Sequence, residues 1–133
     1  MFPEIHLRLP DWVGSFCEEW SAPFVEIDDR AQFVIELARA NVARGTGGPF
    51  AAAIFDYERK TLVAPGVNLV LSASCSAAHA EVVAIMIAQQ IMGTHDLGAE
   101  GIPMLELVSS TEPCAMCMGA LPWSGVPRLV CSA

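Results

Sequence analysis

The sequence has few basic residues: Lys and Arg number 7 against 15 Asp and Glu, which gives a formal net charge of −8. Proteins that bind nucleic acid depend on clustered Lys and Arg to neutralise phosphates. The charge balance therefore disfavours a nucleic-acid partner. It is compatible with a small neutral substrate or a protein partner.

The sequence also lacks a recognisable leader and a membrane span. Its first residues, MFPEIHLRLPDW, contain no basic segment followed by an apolar run, so we predict no signal peptide. The uncharged stretch 61–78 is interrupted by Pro65, Gly66 and Asn68, which makes it a poor bilayer helix. We therefore expect a cytoplasmic protein without a membrane partner.

Cysteine is present in an odd number, which argues against a framework of paired disulfides. In a reducing compartment, closely spaced cysteines are more often metal ligands or redox groups than structural bridges. Cys114 and Cys117 have this close spacing, directly after Pro113. The five cysteines are Cys17, Cys75, Cys114, Cys117 and Cys131.

The order of predicted elements favours an α/β fold. Residues 1–27 read as an irregular or partly helical lead-in that packs on a domain formed by residues 28–133. A strand hairpin followed by alternating helices and strands predicts a mixed sheet with helices on its faces. We predict helices at 28–44, at 78–92 and from residue 113 or 114, with strands at 49–56, 61–69, 104–110 and 128–133. Asp28 or Asp29 is the expected N-cap of the first helix, and Pro122 is expected to kink or shorten the last one.

Two short motifs carry the chemistry. The second helix opens with His79-Ala80-Glu81, and the third opens at Pro113-Cys114-x-x-Cys117. Cysteines three apart at a helix start can reach one ion, and the free N–H groups there favour thiolates. With His79 they make three ligands, the number that a catalytic zinc takes from protein while water fills the fourth position. Glu81 would face that water without binding the metal.

H-x-E followed by P-C-x-x-C is the signature of the zinc deaminases. The resemblance runs from about residue 30 to 133, through "GGPFAAAIF", "GVN", "AHAEVVAI" and "STEPCAMCMGALPWSGV". The sequence thus resembles the cytidine and deoxycytidylate deaminase-like family, and within it the bacterial guanine deaminases. The resemblance implies a three-layer α/β/α fold and the hydrolytic deamination of guanine to xanthine.

The same resemblance implies the site residues and the cofactor. His79, Cys114 and Cys117 would hold one zinc ion per chain, with Glu81 as the proton shuttle. The residues that would contact the nucleobase are Asn68, Phe50, Trp123 and Ala80.

Family members continue with further helix and strand beyond the segment that matches residues 128–133. We therefore expect part of the family fold to be absent here, with an exposed sheet edge, an incomplete or helper-dependent site, and a homodimer.

Other functions stay open at this point. The ring could be cytosine or cytidine, adenosine in tRNA, or an amino-triazine. From other classes, the zinc could serve only to stabilise the fold, or Cys114 and Cys117 could form a thiol redox pair.

Overall fold

Residues 1–133 form four helices and one four-stranded sheet in the computed structural model. Every helix and strand that the sequence predicts is present, with ends that differ by a few residues. The lead-in contributes one additional helix. In chain order the elements are α1 (Trp12–Glu19), α2 (Ile27–Ala43), β1 (Ala51–Asp56), β2 (Thr61–Val67), α3 (Ala80–Met92), β3 (Leu105–Ser109), α4 (Ala115–Ser124) and β4 (Arg128–Cys131).

The sheet is mixed, as predicted, with the strand order β2-β1-β3-β4. Strand β1 pairs antiparallel with both β2 and β3, whereas β3 and β4 run parallel. The last strand, β4, pairs only with β3, and its residues are half-buried or exposed. The expected exposed edge is therefore present at β4.

Each face of the sheet packs against helices, because alternate residues of a strand point to opposite faces. On one face, Ala53 and Phe55 of β1 contact the core residues of α2. On the other face, Ile54 of β1 packs with apolar residues of α3 and α4. The result is the three-layer α/β/α arrangement that the resemblance implied. None of the helices has the length and apolar character that a membrane crossing requires.

The lead-in packs onto α2 through aromatic side chains. The rings of Phe16, Trp20 and Phe24 lie with their centroids between 5.2 and 5.8 Å from the ring of Phe33, which is fully buried. Aromatic pairs at such distances contribute beyond the area that they bury. The lead-in is thus continuous with the core on the α2 side of the sheet.

Two predicted helix boundaries are wrong in detail. The N-cap of α2 is Glu26, and Asp29 instead accepts a hydrogen bond from the Glu26 N–H at 2.9 Å, as the third helical residue of a capping box does. Pro122 does not stop α4, which continues to Ser124 before Gly125 ends it in the left-handed region at φ 83°. A proline in the last turn removes a single intrahelical hydrogen bond, so the helix still reaches Gly125.

Candidate active site

The start of α3 places His79 and Glu81 beside each other. His79 is the N-cap of the helix, with extended backbone angles of φ −71° and ψ 152°, and its carbonyl accepts the Val83 N–H at 2.9 Å. Glu81 lies in the first turn. The first backbone N–H groups of a helix have no intrahelical acceptor and face outward from its end. The side chains of His79 and Glu81 lie at this same end, where they can form part of a site.

The start of α4 places the two cysteines. The helix begins at Ala115, so Cys114 is its N-cap and only Cys117 lies in the first turn. The Cys114 carbonyl accepts the Met118 N–H at 2.9 Å. The predicted start at residue 113 or 114 is thus one or two residues early, and Pro113 precedes the cap instead of occupying the first helical position.

His79, Cys114 and Cys117 come together at the junction of the two helix starts. Their possible ligand atoms all lie within 4.8 Å of one another, and the His79 Nδ1 to Cys114 Sγ distance is 3.5 Å. One imidazole nitrogen and two thiol sulfurs form a donor set that zinc prefers. The residues therefore fit a single zinc ion.

The two thiols differ in their surroundings. Burial, reinforced by a hydrogen bond to Glu81, raises the pKa of the Cys117 thiol. At exposed Cys114, hydrogen bonding from the Cys117 backbone N–H lowers the pKa of the thiol. Cys114 therefore reaches the thiolate form, which zinc requires, more readily than Cys117.

Glu81 is a buried carboxylate with a partner on each oxygen. Its Oε1 accepts a hydrogen bond from Ser109 Oγ at 2.9 Å, and its Oε2 accepts one from Cys117 Sγ at 3.2 Å. Ser109 ends β3 and pairs with Ala52, so its side chain lies on the α3 face of the sheet. The two contacts fix the carboxylate beside the three possible metal ligands. The sequence reasoning missed Ser109.

A cavity of about 250 Å³ opens against this cluster. Of the residues that the resemblance assigned to the nucleobase, Phe50, Asn68 and Ala80 line the cavity. Trp123 does not: its side chain is 89% exposed on α4, outside the lining. The complete lining is Phe50, Asn68, His79, Ala80, Glu81, Thr111, Glu112 and Cys114.

Sequence reasoning also missed Thr111 and Glu112 as lining residues. Both lie in the "STEPC" segment, between β3 and the cysteine N-cap of α4. A chain that must pass from a strand end to a metal ligand within a few residues lies beside the site throughout. Their position next to Cys114 in the sequence is thus the signal that identifies them.

Asn68 has one polar atom engaged and one available. Its Oδ1 accepts the Val70 N–H at 3.2 Å, whereas its amide nitrogen makes no hydrogen bond within the protein. The backbone N–H of Asn68 donates to the Phe50 carbonyl at 3.1 Å. The cavity is therefore lined by an aromatic ring and an amide donor that are held together by a backbone contact.

Gly66 allows β2 to lie directly against the start of α3. A Cβ atom at this position would lie 2.6 Å from the Ala84 backbone nitrogen and would collide with the Ala80 carbonyl oxygen. Both neighbours are helix backbone, which cannot move aside without displacing α3. The absence of a side chain at Gly66 therefore fixes the position of the helix that carries His79 and Glu81.

We predict that Gly66→Ala lowers both stability and zinc content. Overpacking of this kind costs about 1–3 kcal/mol, and the displaced helix would carry His79 away from the cysteines. The free energy of unfolding in urea and the zinc content of the purified protein measure the two effects. Gly14→Ala is the matched control, because a Cβ there meets nothing within 4 Å. A Gly66→Ala protein with the stability and zinc content of Gly14→Ala would contradict the prediction.

Comparisons with known proteins agree with this geometry. The chain is 38% identical over 90 residues to a guanine deaminase of Bacillus subtilis, a match that covers 68% of this chain and 53% of the relative. A solved guanine deaminase of Nitrosomonas europaea superposes with a TM-score of 0.88 at 46% identity, covering 98% of this chain and 71% of that one. A solved mutant protein in complex with 8-azaguanine superposes with a TM-score of 0.89 at 45% identity, covering 98% and 70%.

The chain thus spans about half the length of the curated guanine deaminase that it matches. A sequence model of the cytidine and deoxycytidylate deaminase zinc-binding region matches residues 28–133, which include the complete His79, Cys114 and Cys117 cluster. The match covers most of the chain and confirms the resemblance that the two motifs indicated. The chain belongs to the cytidine and deoxycytidylate deaminase family, whose shared feature is this zinc-binding region.

Proposed function

We propose that this protein is a zinc-dependent aminohydrolase that converts guanine and water to xanthine and ammonia. One observation carries the proposal. A buried carboxylate, Glu81, lies between a cluster that fits zinc and a cavity of about 250 Å³ that is also lined by Phe50 and Asn68. A purely structural zinc site has no need of a carboxylate that faces a cavity.

His79, Cys114 and Cys117 would hold the metal, one ion per chain. A zinc ion with three protein ligands supplies Lewis acidity, which lowers the pKa of water towards roughly 7. The three residues lie at two helix starts that are fixed by the sheet beneath them. The donor set is therefore preorganised before substrate enters.

Glu81 is the proposed proton shuttle. Its burial and the hydrogen bond from Ser109 hold it in one orientation. In hydrolysis it takes a proton from water and delivers it to the ring nitrogen next to the amino-bearing carbon. The water oxygen bonds to that carbon, and its remaining hydrogen passes from the new hydroxyl through Glu81 to the departing amine. The C–N bond then breaks, so that ammonia leaves and a carbonyl remains.

Phe50 and Asn68 are the proposed substrate contacts, with Ala80 beneath them. The ring of Phe50 is 42% exposed at the cavity, where a planar base can stack on it. The free amide of Asn68 can donate to an acceptor on the base. Ala80 is fully buried and small, which leaves room for a ring close to Glu81.

Guanine is favoured over the other rings by the likeness to guanine deaminases over almost the whole chain. A tRNA substrate is disfavoured by the net charge of −8, because tRNA binding depends on a basic surface. The small cavity, of about 250 Å³, likewise suits a free base better than a polymer.

The test is a substrate panel scored by ammonia release from the zinc-loaded protein. We expect guanine to have the highest kcat/KM, compared with adenine, cytosine, cytidine and an amino-triazine. Removing zinc with a chelator should abolish release from guanine, and adding zinc back should restore it. Turnover of cytidine or RNA alone would overturn the guanine assignment.

The proposed biological unit is a cytoplasmic homodimer in which residues 28–133 form the deaminase domain and residues 1–27 its lead-in. The unpaired edge of β4 supports a second copy, and so do the exposed apolar side chains of Met118 and Trp123 on α4. Sedimentation equilibrium showing only monomer would contradict the dimer.

A further inference from the structure

A completely buried amide connects the two segments that carry the proposed substrate contacts. Asn41 of α2 has no exposed surface, and its Nδ2 donates to the Gly48 carbonyl at 3.0 Å and to the Asn68 carbonyl at 3.0 Å. Both amide hydrogens are therefore used. Gly48 lies two residues before Phe50, so one side chain of α2 bonds to the backbone beside Phe50 and at Asn68.

Thr46 fixes the orientation of that amide. Its hydroxyl donates to Asn41 Oδ1 at 2.6 Å and accepts the indole N–H of Trp12 at 3.1 Å. The oxygen of Asn41 thus has a donor, and its nitrogen has two acceptors. Rotating the amide by half a turn would bring its oxygen against two carbonyls.

The donor at the outer end of this network comes from the lead-in. Trp12 is the first residue of α1 and lies 34 positions before Thr46 in the sequence. The network therefore runs from Trp12 through Thr46 and Asn41 to the backbone of Asn68. None of these three side chains lines the cavity itself.

The backbone at Gly47 packs tightly against Asn41 and Asn68, with no room for a side chain. A Cβ atom at Gly47 would lie 2.7 Å from Asn41 Nδ2 and would collide with the Asn68 carbonyl oxygen. Asn68 is in turn bonded to Phe50 through its backbone N–H. A change in the orientation of Asn41 is therefore transmitted to both Phe50 and Asn68.

We propose that Trp12, Thr46 and Asn41 are positioning residues that hold Phe50 and Asn68 in the geometry that binds the nucleobase. The inference rests on the proposed function, since it takes Phe50 and Asn68 as the substrate contacts. Through Trp12, the lead-in would then contribute to the affinity for the substrate. The chemistry at Glu81, whose side-chain partners are Ser109 and Cys117, does not depend on it.

The experiment compares two disrupting substitutions with two matched ones. Thr46→Val removes the hydroxyl at nearly constant shape, and Trp12→Phe removes the indole N–H while keeping an aromatic ring. Thr46→Ser keeps the hydroxyl. Trp20→Phe is the control for loss of an indole, because the buried Trp20 N–H has no hydrogen-bond partner.

We expect Trp12→Phe and Thr46→Val to raise the KM for guanine by about tenfold, the effect of losing a buried hydrogen bond. Their kcat and zinc content should stay close to the wild-type values. Thr46→Ser and Trp20→Phe should keep the wild-type KM. Without substrate, backbone hydrogen exchange of residues 47–50 and 68–70 should be faster in the two disrupting variants only.

Three outcomes would overturn the inference. One is an unchanged KM together with unchanged hydrogen exchange in Trp12→Phe. Another is an equal increase in the KM for guanine in Trp12→Phe and Trp20→Phe, which would show a general packing effect. The third is a loss of kcat and zinc without a change in KM. If Thr46→Val does not fold, Trp12→Phe decides.

Failure of the proposed function is distinguishable from failure of this inference. A wild-type protein that releases no ammonia from guanine would contradict the function. In that case hydrogen exchange alone decides whether Trp12 and Thr46 hold the two segments in place. Unchanged exchange would still overturn the network.

Discussion

Glu81→Gln is expected to reduce ammonia release from guanine by roughly 10³-fold, the usual contribution of a general acid–base group. The amide has nearly the shape of the carboxylate but cannot carry a proton between water and the base. Its carbonyl oxygen can still accept the hydrogen bond from Ser109, so the surroundings should be retained. Zinc content should match that of the wild type, because Glu81 is not one of the three clustered donors. Single-turnover kinetics and metal analysis of the same sample measure both quantities.

The matched control is Glu100→Gln, the same change at an exposed carboxylate between α3 and β3. It should keep full activity and zinc. This comparison also separates the enzyme from a protein in which zinc only stabilises the fold. If zinc only stabilised the fold, Glu81→Gln and Glu100→Gln would not differ in ammonia release or in zinc content. Undiminished ammonia release from Glu81→Gln would show that the shuttle role is wrong.

The cluster at the two helix starts could be predicted because its signals are local. Cys114 and Cys117 are three positions apart, directly after a proline. His79 and Glu81 are two positions apart, at the start of an apolar helix. The structure places these four residues together. The roles of the metal ligands and of Glu81 stay predictions until metal and activity are measured.

The residues that sequence reasoning missed interact across the fold. Asn41 reads as one polar residue in an amphipathic helix, yet it bonds to Asn68, 27 positions away. Ser109 reads as the last small residue of a buried strand, yet it donates to Glu81, 28 positions away. Neither partner is indicated by spacing or periodicity, because both depend on how α2 and α3 pack on the sheet.

Glu106 shows the same limit in the core. The sequence predicts a buried strand at this position, where an acidic residue conflicts with its neighbours. The structure resolves the conflict, because Glu106 accepts a hydrogen bond from Arg30 Nε at 2.7 Å and another from Arg128 Nε at 3.2 Å. A buried charge needs such partners. Arg30, which makes the shorter of the two hydrogen bonds, lies 76 positions away from Glu106 in the sequence.

Trp123 is the one predicted base contact that the structure does not bring to the cavity, and its role stays a prediction. The resemblance implied that Trp123 walls the base. Here its side chain is almost fully exposed on α4, whereas Phe50, Asn68 and Ala80 line the cavity. Sequence matching carries over a residue type, but the surroundings of a side chain depend on everything that packs beside it.

Cys117→Ser is expected to weaken zinc binding by at least about 100-fold, since loss of even an outer partner of a metal ligand costs 10–100-fold. Serine has nearly the size of cysteine, and Glu81 keeps its hydrogen bond from Ser109, so the effect reports the lost thiolate. Ammonia release should fall to the background of the zinc-free protein. Titration with a competing chelator measures the affinity, and the substrate assay measures the activity.

Cys17→Ser is the control, because Cys17 lies on α1 away from the cluster and burial raises the pKa of its thiol to about 11. The thiol is therefore neutral at assay pH, like serine, and zinc content should not change. A redox protein would behave differently, since Cys114 and Cys117 would then form a disulfide and be free to react when reduced. Stoichiometric zinc with both thiols protected from alkylation excludes that function. Full ammonia release by Cys117→Ser without zinc would instead exclude a zinc-dependent mechanism at this cluster.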